Sequence, residues 1–281
     1  MKYRHLTELF QQGMPPLLAR KIERISASDR PVIAVIMSLF NHCDYTRQAL
    51  NSYYLSLDDH YHYILVLIDD YSSDETQEYI ENETRIRSNI VYLRFKDNGG
   101  LTRLWNYGLH FAIKHLKADY IVLANNDILI PRGAISLLID GLKNSVGPAI
   151  IGPLTNCPGL HKETQDIRVY VPPYVPSIHD DDIEHTAKQI IDKPIQQVHE
   201  INGFFWAGTR NTFLLNAFLK WIYFFDPRNR NTENELEFQR RLRNKKIKIL
   251  LACNTFIFHY KDITLNRVEQ KIINADWRYR P

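Results

Sequence analysis

DYIVLANNDILIP, residues 119–131, is the stretch of sequence that decides the fold. Its apolar run, 120–124, stops abruptly at Asn125, Asn126 and Asp127, and Pro131 can begin a helix. This pattern predicts a buried strand that delivers a carboxylate to the edge of a sheet, where ligands bind in open α/β folds. A carboxylate flanked by amides suits a hard divalent cation whose other ligands are phosphate oxygens and water. The plainer interpretation is a strand end followed by an Asx turn.

Strands and helices alternate on both sides of this stretch. Short apolar runs rich in β-branched residues predict strands at 32–39, 63–68, 90–95 and 120–124. Helices are predicted to begin near Asp44, Asp74 and Leu101, and another covers 131–143. Such alternation predicts an α/β fold with a mostly parallel central sheet flanked by helices. Right-handed crossovers then bring the loops 40–44, 69–73 and 125–127 to one edge of the sheet.

The second half of the sequence is less regular. Prolines interrupt residues 152–199, which predicts a long connection with one helix near 183–191 and a solvated acidic loop at 180–182. Strand-like runs follow at 200–206, 247–251 and 256–259, with a helical segment at 233–243. We therefore expect an N-terminal arm, 1–30, one domain with halves 31–150 and 151–260, and a C-terminal tail, 261–281.

Bulk composition excludes several classes of protein. The 281 residues suffice for one large α/β domain or two smaller ones, and 44% hydrophobic residues can build its core. The net charge of +3 is spread along the sequence and does not indicate a nucleic-acid partner. Three distant cysteines form no metal-ligand spacing and no disulfide framework, which fits a reducing compartment. Without an apolar signal core or a spanning run, we expect a cytoplasmic protein, and peripheral membrane contact stays open.

Five short pieces, in this order, resemble the GT-A glycosyltransferases, particularly family 2. They are SLFN (38–41), IDDYSSDET (68–76), NGG (98–100) with WNYG (105–108), NND (125–127) and ENEL (233–236). The resemblance implies a GT-A (Rossmann-like) fold whose first half binds a nucleoside-diphosphate sugar and whose second half binds the acceptor. It also implies metal-dependent, inverting transfer of a hexose or deoxyhexose to a carbohydrate or lipid-linked hydroxyl. Parts of the pattern are similar to the rhamnosyltransferase branch.

The resemblance also assigns the donor site. Asp69 or Asp70 accepts a hydrogen bond from the nucleobase, and Arg103 reaches the diphosphate or ribose beside a helix N-terminus. The alternatives are a helix-capping acidic turn for the pair and an ordinary surface charge for Arg103. The other donor-binding residues implied are Phe40, Asn41, Asn106 and Asn126.

A divalent cation, Mn²⁺ or Mg²⁺, is implied by the same resemblance. Asp127 occupies the last position of the family's Asp-x-Asp motif and would hold the ion, which stabilises the departing nucleoside diphosphate. Asn125 stands at the first position, which leaves one firm charged ligand. His259 resembles a late histidine ligand, although a lone histidine after a strand is more often structural.

Inverting transfer also needs a general base for the acceptor hydroxyl. The resemblance implies that Glu233 is that base and that Glu235 supports the site. If Glu233 is not the base, Glu235 is the candidate that replaces it. The alternative is that both carboxylates complement the dipole of the following helix. Trp206 is implied to stack on the acceptor sugar, or else to pack in the core.

Two other functions fit parts of the pattern. A binding module of the same fold would hold a nucleotide or glycan without turnover. A nucleotidyltransferase would need a glycine-rich basic loop after the first strand, which residues 40–47 lack. The aromatic run 221–225, followed by Arg228 and Arg230, is a candidate membrane contact, with burial in the core as the alternative.

Overall fold

The fold is built on a large mixed sheet. The structure, a computed structural model, describes residues 16–159, 163–217, 223–231 and 233–260. Within these residues the strands are β1 (Val32–Leu39), β2 (His62–Asp69), β3 (Ile90–Arg94), β4 (Tyr120–Ala124), β5 (Ile128–Leu129), β6 (Ala149–Leu154), β7 (Ile195–Gln197), β8 (Phe205–Thr209), β9 (Lys248–Phe256) and β10 (Phe258–His259). Eight of them form one sheet in the order β3-β2-β1-β4-β8-β6-β9-β7, and β5 pairs with β10.

Helices cover both faces of this sheet. They are α1 (Pro16–Ser26), α2 (Cys43–Ser56), α3 (Thr76–Ile86), α4 (Leu101–Lys114), α5 (Ala134–Lys143), α6 (Asp180–Gln189), α7 (Arg210–Asn216) and α8 (Asn234–Asn244), with 3-10 turns at Glu163–Gln165 and Ile167–Val169. None of the helices in the described part of the chain has the length and apolar character that a bilayer span requires.

The parallel half of the sheet agrees with the prediction from the sequence. Strands β3, β2, β1 and β4 pair in parallel, and β1 and β4 have the predicted bounds. All eight residues of β1 are buried because apolar side chains cover both of its faces. Residues from α2, α3 and α5 form the core on one face, and residues from α4 and α8 form it on the other.

The acceptor half departs from the prediction at several points. The expected long connection begins with a buried strand, β6, which includes Pro153 and pairs with β9 across a register shift beside that proline. The run 180–182 is not a loop but the first turn of α6, where acidic side chains complement the helix dipole. The strand expected at 200–206 is displaced to β8, which runs antiparallel to β4 and β6.

A buried amide joins the two halves. Asn106 on α4 is fully buried, and its Oδ1 accepts hydrogen bonds from the backbone N–H groups of Phe224 (2.7 Å) and Phe225 (2.9 Å). Its Nδ2 donates to the carbonyl of Phe225 at 2.9 Å. Three of the four hydrogen-bonding positions of this fully buried amide are thus used inside the protein, which favours a structural role over the predicted role in donor binding.

Replacing Asn106 should destabilise the protein strongly. We expect Asn106→Ala to lower the free energy of unfolding by about 3–5 kcal/mol, because two N–H groups and one carbonyl lose their partners in the core. Urea denaturation followed by circular dichroism measures the change. Asn82→Ala is the matched control, since Asn82 is exposed on α3 and should change stability by less than about 0.5 kcal/mol. Equal stabilities of the two variants would contradict the anchoring role.

Candidate active site

Three loops meet at the carboxyl ends of the parallel strands, as the sequence predicts. We call the loops 40–44, 69–73 and 125–127 the rim. The N–H of Asn41 donates to Ser72 Oγ at 2.8 Å, and Asn41 Oδ1 accepts from the N–H of Ser73 at 2.7 Å. Asn126 Nδ2 donates to Thr46 Oγ1 at 2.9 Å and approaches the carbonyl of Asn41 at 3.5 Å. Asn41 and Asn126 thus hold the loops together, while Phe40, half-buried, lies beside them.

Asp69 is fully engaged inside the protein. Its Oδ1 accepts from the N–H (2.8 Å) and hydroxyl (2.6 Å) of Ser72. Its Oδ2 accepts from the Tyr92 hydroxyl at 2.7 Å and from Arg94 Nη1 at 2.8 Å. Burial, and then the hydrogen bond to Asp69, raise the pKa of Tyr92 above its usual range, so the phenol remains a donor. The four lone-pair sites of this carboxylate are therefore occupied.

Asp70 retains one acceptor site. Its Oδ1 accepts from the N–H of Gly99 at 2.9 Å and from Arg103 Nη2 at 2.8 Å, and its Oδ2 accepts from the N–H of Gly100 at 2.7 Å. Because each carboxylate oxygen can accept two hydrogen bonds, Oδ2 has room for one more donor. Of the acidic pair, Asp70 is thus the residue with an acceptor position that the hydrogen bonds described do not use.

Arg103 is directed inward by the glycine turn. Its guanidinium lies 4.1 Å over the ring of Phe95 and also pairs with Asp97 at 2.9 Å. A Cβ on Gly99 would lie 1.9 Å from Arg103 Nε, so a larger residue there would force the guanidinium to shift. The arginine is a half-buried partner of Asp70 rather than an unpaired surface charge.

Asp127 and His259 come together although 132 positions separate them in the sequence. His259 Nε2 lies 3.3 Å from Asp127 Oδ1, and both side chains are buried. The pairing of β5 with β10 sets this register, and the N–H of Tyr260 donates to the carbonyl of Asp127 at 2.9 Å. The His259 ring also stacks on Phe204, with centroids 4.6 Å apart and planes 13° from parallel.

Asn156 holds the backbone of His259, which sequence reasoning missed. Its Oδ1 accepts from the His259 N–H at 2.8 Å, and its Nδ2 donates to the His259 carbonyl at 3.0 Å. Tyr260, the next residue, donates from its hydroxyl to Gln48 Oε1 on α2 at 2.6 Å. The segment that carries the histidine is therefore fixed on both sides. A contact across 103 positions leaves no local signal in the sequence.

The pair fits a divalent cation that takes its remaining ligands from elsewhere. Two adjacent ligands of one octahedral ion, each about 2.1 Å from it, lie about 3 Å apart, close to the Asp127–His259 separation. The 3.3 Å distance shows that Nε2 is the ring nitrogen turned toward the carboxylate. The other ring nitrogen of His259, Nδ1, is buried without a hydrogen-bond partner. In the described part of the chain, no cluster of three or more His, Cys, Asp or Glu residues could hold an ion alone.

Glu235 lies against a backbone segment, 203–204, that contacts the rim. A Cβ on Gly203 would lie 1.7 Å from Glu235 Oε2, so the carboxylate lies directly against the glycine backbone. Gly203 precedes Phe204. The carbonyl of Phe204 accepts a hydrogen bond from the N–H of Asn125 at 2.9 Å, and its ring stacks on the His259 ring. The glycine therefore admits a protein carboxylate beside the rim.

The first two turns of α8 are hydrogen-bonded to the segment before Gly203 and to α4. Gln239 exchanges two hydrogen bonds with the backbone of Ile201, at 2.8 and 2.9 Å. Asn234 Nδ2 donates to Thr102 Oγ1 on α4 at 3.0 Å. Glu233, by contrast, is exposed and precedes α8 with a φ of 58°. Glu235, unlike the exposed Glu233, thus lies against a backbone segment that bonds the rim through Asn125.

Two aromatic assignments require correction. Trp206 is 1% exposed and packs edge-on against Phe225 and Phe238 in the core, so it does not form an acceptor platform. Its side chain points to the opposite face from Phe205 because side chains alternate along β8. Residues 221 and 222 lie outside the described residues, and Tyr223, Phe224 and Phe225 are buried. Arg228 pairs with Asp226, and the three described aromatic residues of this run belong to the core.

Fold and rim together define an α/β protein of the GT-A class, in which loops at the carboxyl ends of parallel strands carry the site. Residues 34–164 match the family model described as Glycosyl transferase family 2. A comparison with curated proteins finds no match.

Solved structures share the fold. A GalNAc-T7 structure with UDP, GalNAc and Mn²⁺ is similar with a TM-score of 0.61 and 13% identity, over 83% of this chain and 44% of that one. S. aureus TarS 1-349 in complex with UDP is similar with a TM-score of 0.51 and 16% identity, over 80% of this chain and 59% of that one. This chain spans less than two thirds of each of these structures.

Proposed function

We propose that the protein is a metal-dependent, inverting glycosyltransferase that uses a nucleoside-diphosphate sugar and a carbohydrate or lipid-linked acceptor. One observation carries the proposal: the Asp127–His259 pair lies on the rim, with Phe204 and Gly203 connecting it to the Glu235 carboxylate. A cation-binding pair and a proton acceptor therefore lie near each other at the sheet edge where α/β folds bind ligands.

The nucleotide is bound by the β1 and β2 loops. Asp70 Oδ2 accepts a hydrogen bond from a ring N–H of the base, and Phe40 lies against the same ligand. Asp69, Arg103, Asn41 and Asn126 shape this site through the contacts described above rather than through a free hydrogen-bonding group. UDP is the first nucleotide to test, since the structures of GalNAc-T7 and TarS that resemble this fold contain it.

Asp127 and His259 hold Mn²⁺ or Mg²⁺. The ion, when bound, supplies Lewis-acid stabilisation of the diphosphate leaving group. Manganese is present in the GalNAc-T7 structure. Since only one ligand of the pair is a carboxylate, the metal affinity should depend on nucleotide, whose phosphates add further oxygens.

Glu235 is the general base. Its carboxylate takes the proton of the acceptor hydroxyl while that oxygen bonds to the anomeric carbon, and the bond from that carbon to the phosphate oxygen breaks. The nucleoside diphosphate leaves with the bonding electrons. Attack from the face opposite the leaving group inverts the anomeric configuration. Gly203 supports this role because it leaves space for the carboxylate at the end of β4.

Donor turnover tests the proposal. Purified protein is incubated with UDP-glucose, UDP-GlcNAc, UDP-GalNAc and dTDP-rhamnose, each with Mn²⁺, Mg²⁺ or EDTA, and released nucleoside diphosphate is measured. We expect release from one donor class that EDTA abolishes, because slow transfer to water needs no acceptor. Tight nucleotide binding without release from any donor would instead favour a binding module. Proton NMR of the product measures the anomeric configuration.

Asn156 should control metal affinity through His259. We expect Asn156→Ala to weaken Mn²⁺ binding in the presence of UDP by roughly 10-fold to 100-fold, the range for residues that orient a metal ligand. Isothermal titration with Mn²⁺ measures it. Asn144→Ala, an exposed asparagine after α5, is the control and should bind as wild type. Unchanged affinity in Asn156→Ala would mean that His259 does not need this support.

We also propose a cytoplasmic location. Cys43, Cys157 and Cys253 are all free, which fits a reducing compartment.

A further inference from the structure

The edge of the sheet opposite the rim carries cations that the proposed reaction does not use. They end or follow α4, begin α7, or lie between α8 and the start of β9. We call this set the basic edge: Lys114, Lys117, Arg210, Lys245, Lys246 and Lys248. Four of the six are exposed: Lys114, Lys117, Lys245 and Lys246.

Strand pairing places these residues in one row. Tyr120 in β4 pairs with Thr209, Gly208 pairs with Ile150 in β6, and Ala149 pairs with Lys248. Because neighbouring strands lie about 4.8 Å apart, the ends of β4, β8, β6 and β9 span roughly 15 Å. Arg210 Nη1 donates to the carbonyl of Lys117 at 3.1 Å, which joins two members directly. Charges that are dispersed in the sequence therefore meet on one surface.

The helix dipole explains only part of this row. Lys114 and Lys245 lie at helix C-termini, where cations are favoured, and Lys245 Nζ donates to the carbonyl of Leu215 at 2.7 Å. Arg210, however, begins α7, and Lys248 is the first residue of β9. Asp119 offsets one charge, since it lies 3.8 Å from Arg210. Lys117 and Lys246 face solvent, and Lys248 is half-buried at the start of β9.

Two aliphatic side chains are exposed among these cations. Val146, in the loop before β6, is 84% exposed, and Leu215 on α7 is 46% exposed. The carbonyl of Pro148, at the end of the same loop, accepts from the N–H of Lys248 at 3.1 Å, which places Val146 beside the row. Exposed aliphatic groups between lysines match the boundary between lipid headgroups and acyl chains, and phosphate-backbone recognition does not require them.

We propose that the basic edge docks on an anionic membrane surface, with Val146 and Leu215 entering the headgroup layer. Each lysine or arginine near such a surface raises partitioning roughly fivefold. The rim is at the other end of the strands, and the eight residues of β1 span about 26 Å. Docking in this way turns the rim away from the bilayer, so the acceptor hydroxyl would lie on a chain that extends outward from the surface.

Vesicle flotation tests the surface directly. The full chain is mixed with phosphatidylcholine vesicles, or with vesicles containing 30% phosphatidylglycerol, at low and high NaCl. We expect flotation with the anionic vesicles only, and its loss at high salt. Lys117→Glu, Lys246→Glu and Lys248→Glu, combined in one variant, should lower the partition coefficient by a hundredfold or more.

A matched variant separates the surface from net charge. Arg85→Glu, Arg132→Glu and Lys188→Glu, combined, change the total charge equally on exposed positions elsewhere and should leave binding within about twofold of wild type. Replacing the three basic-edge lysines by arginine should also preserve binding, which guards against a folding defect. No flotation of the wild type, equal losses in both glutamate variants, or preference for a DNA duplex over the anionic vesicles would overturn the proposal.

Discussion

Glu235→Gln is expected to lower the rate of sugar transfer by about a thousandfold while nucleotide affinity changes less than twofold. The amide keeps the size of the side chain but cannot take a proton from the acceptor hydroxyl. Nucleotide affinity should persist because the substitution leaves in place Asp70 and the Asp127–His259 pair, the groups proposed to bind the nucleotide and its metal ion. Nucleoside-diphosphate release under single turnover measures the rate, and titration with UDP measures the affinity.

Glu233→Gln is the matched control for this experiment. It removes the same charge two positions earlier, at an exposed site before α8, so it should retain activity within about threefold. Gly203→Ala should reproduce part of the Glu235 defect, since its Cβ would displace the carboxylate. If Glu233→Gln loses activity and Glu235→Gln retains it, Glu233 is the general base. The position of Glu235 beside Gly203 would then not reflect a role in proton transfer.

The nucleotide half could be predicted closely because its signals are local. A strand buried on both faces shows as an unbroken apolar run, and β1 and β4 begin and end where those runs do. Polar residues at the run ends then locate the rim, since parallel strands present their carboxyl ends together. The resemblance singled out Asp127 and His259 at two distant positions, and the fold brings their side chains to 3.3 Å, while their role as metal ligands stays a prediction.

Other features depend on contacts that no local pattern records. Asn106 sits in a motif that resembles a donor-binding element, yet its amide bonds backbone more than 110 positions away. Gly203 lies against the carboxylate of Glu235, which is 32 positions away in the sequence. The basic edge is equally invisible in the sequence, where its cations are separated by ordinary segments and the net charge is small. In each case the partner became apparent only from the tertiary structure.

Asp127→Asn is expected to reduce kcat/KM by roughly a hundredfold to a thousandfold and to weaken Mn²⁺ binding in the presence of UDP. The substitution preserves the shape of the side chain and removes the only carboxylate of the metal pair. His259→Gln should have a smaller effect, because a neutral ligand is lost and the charged one remains. If both residues hold one ion, the double variant should be little worse than Asp127→Asn alone, since the second change removes a ligand from a site already lost.

Asp44→Asn provides the control for charge near the rim. Asp44 is exposed in the first turn of α2, so its replacement should leave both metal affinity and kcat/KM within about twofold. Titration with Mn²⁺ at fixed UDP, followed by turnover at saturating Mn²⁺, distinguishes weakened binding from a damaged site. Excess Mn²⁺ should restore part of the activity of His259→Gln. Wild-type metal dependence in Asp127→Asn would contradict the assignment, because the remaining histidine could not compensate for the missing negative charge.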